Sequence, residues 1–292
     1  MKLLQRIAVC LAAMLSLVGL AIQPASAQTV EIWSAVGDSY IAAVGAGDYD
    51  PAAGPCLRSA NSYVKKLVAL EQEAGKTIDL RDVTCSGATV QSLRDTQFAF
   101  IHPASKVVVV SIGGNDAGFE PLVRNCVPVP PRPGVPDPDC SGDASLQVLR
   151  GLPAVQQSVR QLLKDVHARA PQAKILQVGY GQILTQKPVT VFGADPACAF
   201  FSPTERGWLF AVQLGLDGTL WSATWGLPQT SYVSPFTAPG LLRSAFVGRS
   251  LCETSDSLYH GFDVIFGGDG IGAFHPKEEW DALMANVLFS RI

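Results

Sequence analysis

The feature of this sequence that most constrains its fold is a run of four consecutive valines at residues 107–110. The run does not alternate with polar residues, so it predicts a β-strand that is covered on both faces, as strands of parallel sheets are. The predicted strand spans residues 106–112 and leads directly into a Gly-Gly-Asn-Asp segment at residues 113–116. Because a parallel sheet is covered by helices on both faces, the run predicts an α/β protein.

Predicted strands and helices alternate along much of the chain. Besides the valine strand, apolar runs predict strands at residues 30–36, 77–83, 174–178 and 231–233. Helical spacing of apolar residues predicts helices at residues 61–74, 86–98, 143–169, 203–225 and 276–289. We expect Pro153 to split the long helix at residues 143–169. This order predicts a three-layer α/β/α sandwich with a mainly parallel sheet of about five strands.

The first residues have the pattern of a secretory signal peptide. Two basic side chains, Lys2 and Arg6, precede an uncharged and mostly apolar run at residues 7–22, and an Ala-Ser-Ala segment follows. This pattern predicts that residues 1–27 are removed and that the protein is secreted. A membrane anchor is the alternative, but the run is short for a bilayer span. Residues 28–292 are expected to fold as a single domain.

The cysteine content agrees with an exported protein. The sequence has 7 cysteines, and one of them, Cys10, lies in the predicted signal peptide. The remaining even number suits disulfides formed in an oxidising compartment, with buried free thiols as the alternative. Six cysteines can pair in many ways, and we expect them to pair in order along the chain. The predicted disulfides are Cys56–Cys85, Cys126–Cys140 and Cys198–Cys252.

Three polar, glycine-rich segments follow predicted strands, at residues 37–39, 85–87 and 113–116. Ligands of open parallel sheets bind where the carboxyl ends of strands meet loops, so we expect the three segments to share one edge. Ser39 offers a hydroxyl nucleophile, Gly87 a main-chain N–H unobstructed by a Cβ, and Asn115 an amide donor. Ester cleavage requires such a nucleophile and donors that face a developing oxyanion.

The same residues have plainer explanations when each is taken alone. Ser39 is explained equally well as a helix cap, and Gly87 and Asn115 as turn residues. Asp38 and Asp116 are expected to be structural, by bonding turns or capping helices. The catalytic interpretation is preferred because all of the segments occur together.

A serine nucleophile also needs a base, and the chain has 4 histidines. His275 lies in a glycine-rich loop that opens the last predicted helix, which makes it the best candidate for the general base. His260 is the second candidate and is otherwise expected to be a surface residue. His102 and His167 are expected to take no part in catalysis.

Together with a Phe-His-Pro segment at residues 274–276, these segments resemble the four sequence blocks of the GDSL, or SGNH, hydrolases in kind and in order. The resemblance extends to the secreted actinobacterial lipases and esterases of that family and covers nearly all of residues 28–292. It implies a flavodoxin-like fold and hydrolysis of carboxylic esters through an acyl-serine, without a metal or another cofactor. The Gly-x-Ser-x-Gly pattern of α/β-hydrolases is absent at Ser39, because Ile41 stands where it requires glycine.

The resemblance also implies a role for each matching residue. Ser39 would be the nucleophile and, through its main-chain N–H, an oxyanion donor. The main-chain N–H of Gly87 and the side chain of Asn115 would complete the oxyanion hole. His275 would accept the serine proton and later pass it to the leaving alcohol.

One departure from the family pattern concerns the group that orients the histidine. Many members carry an aspartate three residues before it, where this chain has Gly272. The likeness to secreted relatives implies that the main-chain carbonyl of Gly272 orients His275 instead, and Asp269 is the second candidate. A second departure is Lys277, where asparagine is common, and we expect it to have little effect on the reaction type.

The sequence leaves alternative functions open. The first is cleavage of acyl lipids or small esters, and the second is a polysaccharide deacetylase or phospholipase activity on the same fold. The third is a non-catalytic secreted binding module, which the intact set of candidate residues disfavours. A net charge of -3 with scattered basic residues argues against nucleic-acid binding. We expect a monomer that is not inserted in a membrane, takes an ester or lipid as its partner, and needs no metal or other cofactor.

Overall fold

Five parallel strands form the central sheet of the protein. The computed structural model describes residues 29–119, 122, 142–185, 201–238, 240–253, 256–261, 264 and 270–292. The strands of the sheet are β1 (Val30–Gly37), β2 (Thr77–Asp82), β3 (Ser105–Ser111), β4 (Lys174–Val178) and β5 (Thr230–Val233). Two short strands, β6 (Phe236–Ala238) and β7 (Leu241–Leu242), form a separate antiparallel pair. The five-stranded parallel sheet confirms the predicted fold class.

The run of valines is the middle strand of this sheet. The strand order is β2-β1-β3-β4-β5, so β3 has a parallel neighbour on either side. Val107 is 3% exposed and the three valines after it are fully buried. Burial on both faces of the sheet accounts for the lack of polar residues between them.

The helices cover both faces of the sheet. They are α1 (Ser39–Ala42), α2 (Tyr63–Glu73), α3 (Val90–Thr96), α4 (Asp143–Arg169), α5 (Pro203–Ala223) and α6 (Glu278–Phe289), with 3₁₀ turns at Pro51–Cys56, Phe98–Phe100 and Ser244–Phe246. The connection through α2 leads from β1 to one side of the sheet, whereas those through α3, α4 and α5 lead to the other side. Because such crossovers are right-handed, α2 covers one face and the other three cover the opposite face. In agreement, α2 packs against α6, and α4 packs against α5.

The prediction that Pro153 splits the long helix is wrong. Helix α4 runs without interruption from Asp143 to Arg169. Pro153 lies on the exposed side of α4, while Leu152 and Val155 are buried. Proline removes one hydrogen bond from a helix, but on the exposed side water can satisfy the freed carbonyl. The buried apolar residues on the opposite side keep the helix continuous.

The strand order locates the crevice in which a ligand would bind. Strands β1 and β3 are neighbours, and the chain leaves them towards opposite faces of the sheet, which opens a crevice beyond their carboxyl ends. The two strands approach closely there. A Cβ atom on Gly37 would lie 2.0 Å from the carbonyl oxygen of Ser111, so only glycine fits at this position.

The structure contains the expected disulfide between Cys56 and Cys85. It joins the end of the first 3₁₀ turn to the loop that follows β2. Cys252 is also disulfide-bonded. Residues 1–27 and the cysteines of the other two predicted disulfides, Cys126, Cys140 and Cys198, lie outside the described residues, so those pairings stay predictions. Within the ranges that the structure describes, none of the helices has the length and apolar character needed to cross a membrane.

Candidate active site

Ser39 is the first residue of helix α1, which begins directly after β1. Asp38 caps this short helix, because its side chain accepts a hydrogen bond from the main-chain N–H of Tyr40 at 3.0 Å. The main-chain N–H of Asp38 donates to the carbonyl of Ser111 at the end of β3. These contacts fix the turn that carries Ser39, which remains 8% exposed. The structural role expected for Asp38 is therefore observed.

His275 meets Ser39 at the carboxyl edge of the sheet. Its Nε2 atom lies 2.7 Å from the Oγ atom of Ser39, although the two residues are 236 positions apart in the sequence. Its other ring nitrogen, Nδ1, lies 2.9 Å from the carbonyl oxygen of Ala273. A carbonyl can only accept, so this contact assigns the ring proton to Nδ1 and makes Nε2 the acceptor in the hydrogen bond with the Ser39 hydroxyl.

The prediction that the Gly272 carbonyl orients the imidazole is corrected by this geometry. The carbonyl of Gly272 accepts the main-chain N–H of His275 at 2.8 Å and is therefore engaged in the turn. Among the described residues, the acceptor beside Nδ1 is the carbonyl of Ala273, one position closer to the histidine. The tight turn explains the difference, since it directs the Gly272 carbonyl at the main chain and not at the ring. Asp269, the second candidate, lies outside the described residues.

The loop that carries His275 packs closely against the segment after α1. Gly272 has a φ of +87°, and a Cβ there would lie 2.8 Å from the Cα of Gly45. A Cβ on Gly45 would lie 2.5 Å from the carbonyl oxygen of Pro276. Both glycines are thus required by close approach of two main chains. The hydroxyl of Tyr40 adds a hydrogen bond to the carbonyl of Phe274 at 2.8 Å.

His260 supports this loop and is not the simple surface residue that was expected. Its main-chain N–H donates to the carbonyl of His275, and its carbonyl accepts the N–H of Phe274. Its ring is half-buried, and Nε2 lies 2.9 Å from the carbonyl oxygen of Gly45. Ser39 faces His275, so His260 is not the partner of the serine. This contact could not be predicted from the sequence, because His260 and Gly45 are 215 positions apart.

Gly87 and Asn115 line the same cavity as Ser39 and His275. Gly87 has a φ of +75°, and apart from its chain neighbours no atom lies within 4 Å of the position that a Cβ would take, so the space on that side of the residue is open. The Nδ2 atom of Asn115 donates to the carbonyl of Ala88 at 2.9 Å. An amide nitrogen carries two protons, so this contact orients the side chain and leaves one N–H for a ligand.

Asp116 has the structural role that was expected. Both of its carboxylate oxygens lie 3.1 Å from the main-chain nitrogen of Val90, the first residue of α3. The carboxylate thus satisfies an otherwise unpaired N–H at a helix start. Together with the contact between Asn115 and Ala88, it holds the loop after β3 against the loop that contains Gly87.

Tyr180 is a site residue that the sequence analysis missed. Its hydroxyl donates to the carboxylate of Asp38 and accepts the main-chain N–H of Gly114, which lies 2.8 Å away. Its ring packs edge-on against Tyr40 with the centroids 4.7 Å apart. Burial raises the pKa of Asp38 from 3.8 to about 7, even though the hydrogen bond from Tyr180 favours the charged form. A Gly-Tyr-Gly segment at residues 179–181, directly after β4, is the signal that could have identified this residue.

These residues surround a cavity of about 690 Å³. Aliphatic and aromatic side chains form much of its wall, which is typical of pockets that take apolar ligands. Those that the sequence analysis did not identify are Val44, Leu57, Phe119, Ile183 and Leu216. Ser39 is one of the residues that line the cavity, so a ligand held there would lie beside its hydroxyl.

Comparison with known proteins identifies the family. The sequence profile of the GDSL-like Lipase/Acylhydrolase family matches residues 35–209, which is more than half of the chain. The protein therefore belongs to this family, a class of ester hydrolases. The family assignment made from the sequence segments is confirmed.

Individual relatives are lipases of Streptomyces. The chain is 28% identical over 242 residues to Lipase 1 of Streptomyces coelicolor, an alignment that covers 82% of this chain and 78% of that protein. It is 30% identical over 152 residues to a lipase of Streptomyces rimosus, covering 50% of this chain and 51% of the relative. The chain thus spans about half the length of this second relative in the alignment.

Solved structures agree with the fold. The extracellular lipase of Streptomyces rimosus superposes with a TM-score of 0.71 at 21% identity, covering 90% of this chain and 100% of that one. Phospholipase A1 of Streptomyces albidoflavus superposes with a TM-score of 0.65 at 22% identity, covering 90% and 99%. At these identities the likeness establishes the fold and says nothing about the substrate.

Proposed function

We propose that this protein is a secreted serine hydrolase that cleaves carboxylic esters, with Ser39 as the nucleophile and His275 as the general base. The observation that carries the proposal is the distance of 2.7 Å between the Ser39 Oγ and the His275 Nε2, at the mouth of an apolar cavity. A serine hydroxyl is a weak nucleophile by itself and needs a base in hydrogen-bond contact. The neutral imidazole supplies that base.

In the first half of the reaction, the Oγ of Ser39 attacks the ester carbonyl carbon while its proton passes to Nε2 of His275. The carbonyl oxygen becomes an oxyanion, which the main-chain N–H groups of Ser39 and Gly87 and the side-chain amide of Asn115 stabilise. The imidazolium then gives its proton to the alcohol oxygen as the carbon–oxygen bond breaks. The alcohol leaves, and the acyl group stays on Ser39 as an ester.

In the second half, water replaces the alcohol. His275 takes a proton from the water, and the resulting hydroxide attacks the acyl carbon through a second oxyanion. The proton returns to the Oγ of Ser39 as the acid leaves. Proton transfers balance over the cycle, so this route requires no metal and no other cofactor.

The carbonyl of Ala273 takes the place that a carboxylate has in a Ser-His-Asp triad. At 2.9 Å from Nδ1, it holds the proton on that nitrogen and fixes the orientation of the ring. A neutral carbonyl stabilises the imidazolium less than a carboxylate would, and the oxyanion donors supply the larger share of the rate.

The cavity favours esters with an extended acyl chain over acetyl esters. Its volume of about 690 Å³ is larger than an acetyl group needs, and its largely apolar lining suits a hydrocarbon chain. The lipase relatives support the same choice. Secretion is supported by the signal-peptide pattern and by the disulfide, and we propose that residues 28–292 act as a single monomeric domain.

A fluorophosphonate probe tests the nucleophile directly. The probe should label the wild type on one peptide, and mass spectrometry should locate the adduct on Ser39. The Ser39→Ala variant should lose labelling and lose ester hydrolysis by several orders of magnitude while remaining folded. Ser244→Ala, at an exposed position, is the matched control and should keep both. Labelling of another residue would refute the proposed nucleophile.

A series of p-nitrophenyl esters of increasing acyl length tests the substrate class. We expect hydrolysis to extend well beyond the acetyl ester. A strong preference for acetyl would favour a deacetylase instead. If the folded wild type hydrolyses none of the esters, the result would favour a non-catalytic binding module.

A further inference from the structure

Asp217 is a charged residue in the wall of the same cavity that contains Ser39. It lies on α5, next to the apolar cavity residue Leu216, and is 7% exposed. The proposed catalytic mechanism makes no use of it. A buried carboxyl in a largely apolar wall is costly unless it is hydrogen-bonded, so its partners matter.

One oxygen of the Asp217 carboxyl is fully engaged. Its Oδ1 atom accepts a hydrogen bond from the hydroxyl of Tyr232 at 2.5 Å and another from the hydroxyl of Ser234 at 2.7 Å. Both donors come from β5 and the residue just beyond it. A Cβ on Gly179 would lie 2.0 Å from the hydroxyl of Tyr232, so a glycine is needed there for the tyrosine to reach the carboxyl.

The other oxygen, Oδ2, is left for a ligand. Within the part of the chain that the structure describes, it has neither a hydrogen-bond donor nor an ion-pair partner, and it is not sealed in the interior. Asp217 is one of the residues that line the cavity, and Oδ2 is the carboxyl oxygen that Tyr232 and Ser234 do not engage. The two hydrogen bonds to Oδ1 restrain the carboxyl group, so Oδ2 loses little conformational freedom when a ligand binds.

We propose that Asp217 recognises a hydroxyl group of the substrate, which donates a hydrogen bond to Oδ2. The preferred substrates are then esters that carry a free hydroxyl in the portion that enters the cavity. That portion is either a polyol such as glycerol on the alcohol side or a hydroxylated chain on the acyl side. This inference rests on the proposed function, because the cavity has to hold the ester that Ser39 attacks.

The number of acceptors at this position favours a hydroxyl over a cation. An ammonium group has three donors, and burial strips it of water that one carboxylate oxygen cannot replace. A hydroxyl has only one donor, so a single acceptor satisfies it. It also loses fewer hydrogen bonds to water than an ammonium group when it is buried. Mostly apolar neighbours, such as Leu216 and Ile183, suit the carbon atoms that carry the hydroxyl.

The test compares wild type with Asp217→Asn, which keeps an oxygen for Tyr232 and Ser234 and replaces the free acceptor by a donor. Two sets of three substrates are used. Each set contains a hydroxylated ester, its isostere with methyl in place of hydroxyl, and its methyl ether, whose oxygen can accept a hydrogen bond but not donate one. One set derives from glyceryl monobutyrate and the other from an ω-hydroxyacyl ethyl ester. In mildly alkaline buffer, wild type should prefer the hydroxylated ester over the ether. In the variant the ratio of their kcat/KM values should fall roughly tenfold, the value of one hydrogen bond to a charged group.

The methyl isosteres distinguish loss of hydroxyl recognition from a general effect of the substitution on the enzyme, because they carry no hydroxyl. Because Asp217 lines the cavity, each rate of the variant is compared with that of the methyl isostere in the same set. Asp165→Asn, on α4 and not among the residues that line the cavity, should leave every ratio unchanged. The set in which the ratio changes tells which portion of the ester enters the cavity. If kcat/KM falls equally for all substrates, or if the ratios change in neither set, the proposed role of Asp217 is overturned. The proposed ester hydrolysis is not affected by that result. A wild type that hydrolyses no ester and takes no fluorophosphonate label would overturn the proposed function as well.

Discussion

The hydroxyl of Tyr180 joins Asp38 to Gly114 and thereby connects the turn that carries Ser39 with the loop that carries Asn115. It donates to the carboxylate of Asp38 and accepts the main-chain N–H of Gly114. Asp38 in turn holds the main chain of Tyr40, one position after Ser39. The phenol of Tyr180 therefore helps to set the distance between Ser39 and the side-chain amide of Asn115.

Replacing Tyr180 by phenylalanine should slow catalysis without weakening substrate binding. The variant loses both hydrogen bonds and leaves the half-buried N–H of Gly114 without its phenol partner, so Asn115 shifts relative to Ser39. We expect kcat for a hydroxyl-free p-nitrophenyl ester to fall by roughly one to two orders of magnitude, less than loss of an oxyanion donor costs. The KM should stay within about twofold, because the ring still lines the cavity. Steady-state kinetics on the purified variant measure both.

Tyr232→Phe is the matched control for this prediction. Its hydroxyl also donates to a buried carboxylate, that of Asp217, but it makes no contact with Ser39 or Gly114. Both variants should lose about 1–3 kcal/mol of unfolding free energy. Only Tyr180→Phe should lose kcat, and an equal loss in both would mean that general destabilisation accounts for the effect.

The buried carboxyl of Asp38 should make stability fall as pH rises. Its pKa is raised from 3.8 to about 7 by burial, so the folded state binds a proton that the unfolded state has released at intermediate pH. Stability from a raised pKa is fully present below the unfolded value and is lost through the folded value. The unfolding free energy of wild type relative to Asp38→Asn should therefore decrease from about pH 4 to about pH 7.

Urea unfolding of both proteins at several pH values measures this difference. Other carboxyls with a raised pKa, such as Asp116 and Asp281, are present in both proteins, so their contributions largely cancel. Far-ultraviolet circular dichroism should first show that the variant is folded at each pH. A difference that is constant or that increases with pH would contradict a raised pKa at Asp38.

The disulfide between Cys56 and Cys85 should support catalysis as well as stability. Cys85 lies two residues before Gly87, and the main-chain N–H of Ser86 donates to the carbonyl of Cys56 at 3.0 Å. We expect the double variant Cys56→Ser/Cys85→Ser to lose about 2–4 kcal/mol of unfolding free energy. Its kcat should fall as well, because the N–H of Gly87 is held less firmly.

Leu162→Ala separates these two effects. Leu162 is fully buried on α4, and its truncation costs a comparable 2–5 kcal/mol, roughly, without touching the loop of Gly87. Both variants should be assayed at a temperature where each is folded. If Leu162→Ala loses as much kcat as the cysteine variant, the disulfide contributes only to stability.

Most of the fold could be predicted from local patterns. The valine run of β3 and the apolar spacing of the helices reflect burial, which acts residue by residue and leaves a direct trace in the sequence. Pro153 shows the limit of that approach. Proline breaks helices by its own chemistry, but here the residue lies on the exposed side of α4, and burial of Leu152 and Val155 outweighs the lost hydrogen bond.

The parts of the candidate site that could be predicted are those where the chemistry allows only a few residue types. Ser39, Asn115 and His275 could be selected because few side chains supply a nucleophile, an amide donor or a base, and strand ends meet at one edge. The contacts that hold them could not. Tyr180 acts through residues far away in the sequence, and the choice between the carbonyls of Gly272 and Ala273 depends on one peptide orientation within a turn.

The close packing of Gly272 against Gly45 should be essential for holding His275. Alanine at Gly272 would have to adopt a φ near +87° and would place its Cβ 2.8 Å from the Cα of Gly45. The loop then has to move away, which withdraws the imidazole from Ser39. We expect Gly272→Ala to remain folded and to lose at least one order of magnitude in kcat, since small displacements of a catalytic group are costly.

Gly75→Ala is the control, because Gly75 has a similar φ of +97° but no atom within 4 Å of the added Cβ. This variant should lose about 1–2 kcal/mol of unfolding free energy from the backbone conformation alone and keep its kcat. Thermal or urea unfolding and ester kinetics on both variants provide the comparison. The larger loss of stability, and the loss of kcat, should belong to Gly272→Ala. If the two variants behave alike, contact with Gly45 does not position the His275 loop, and the imidazole is held by its own hydrogen bonds alone.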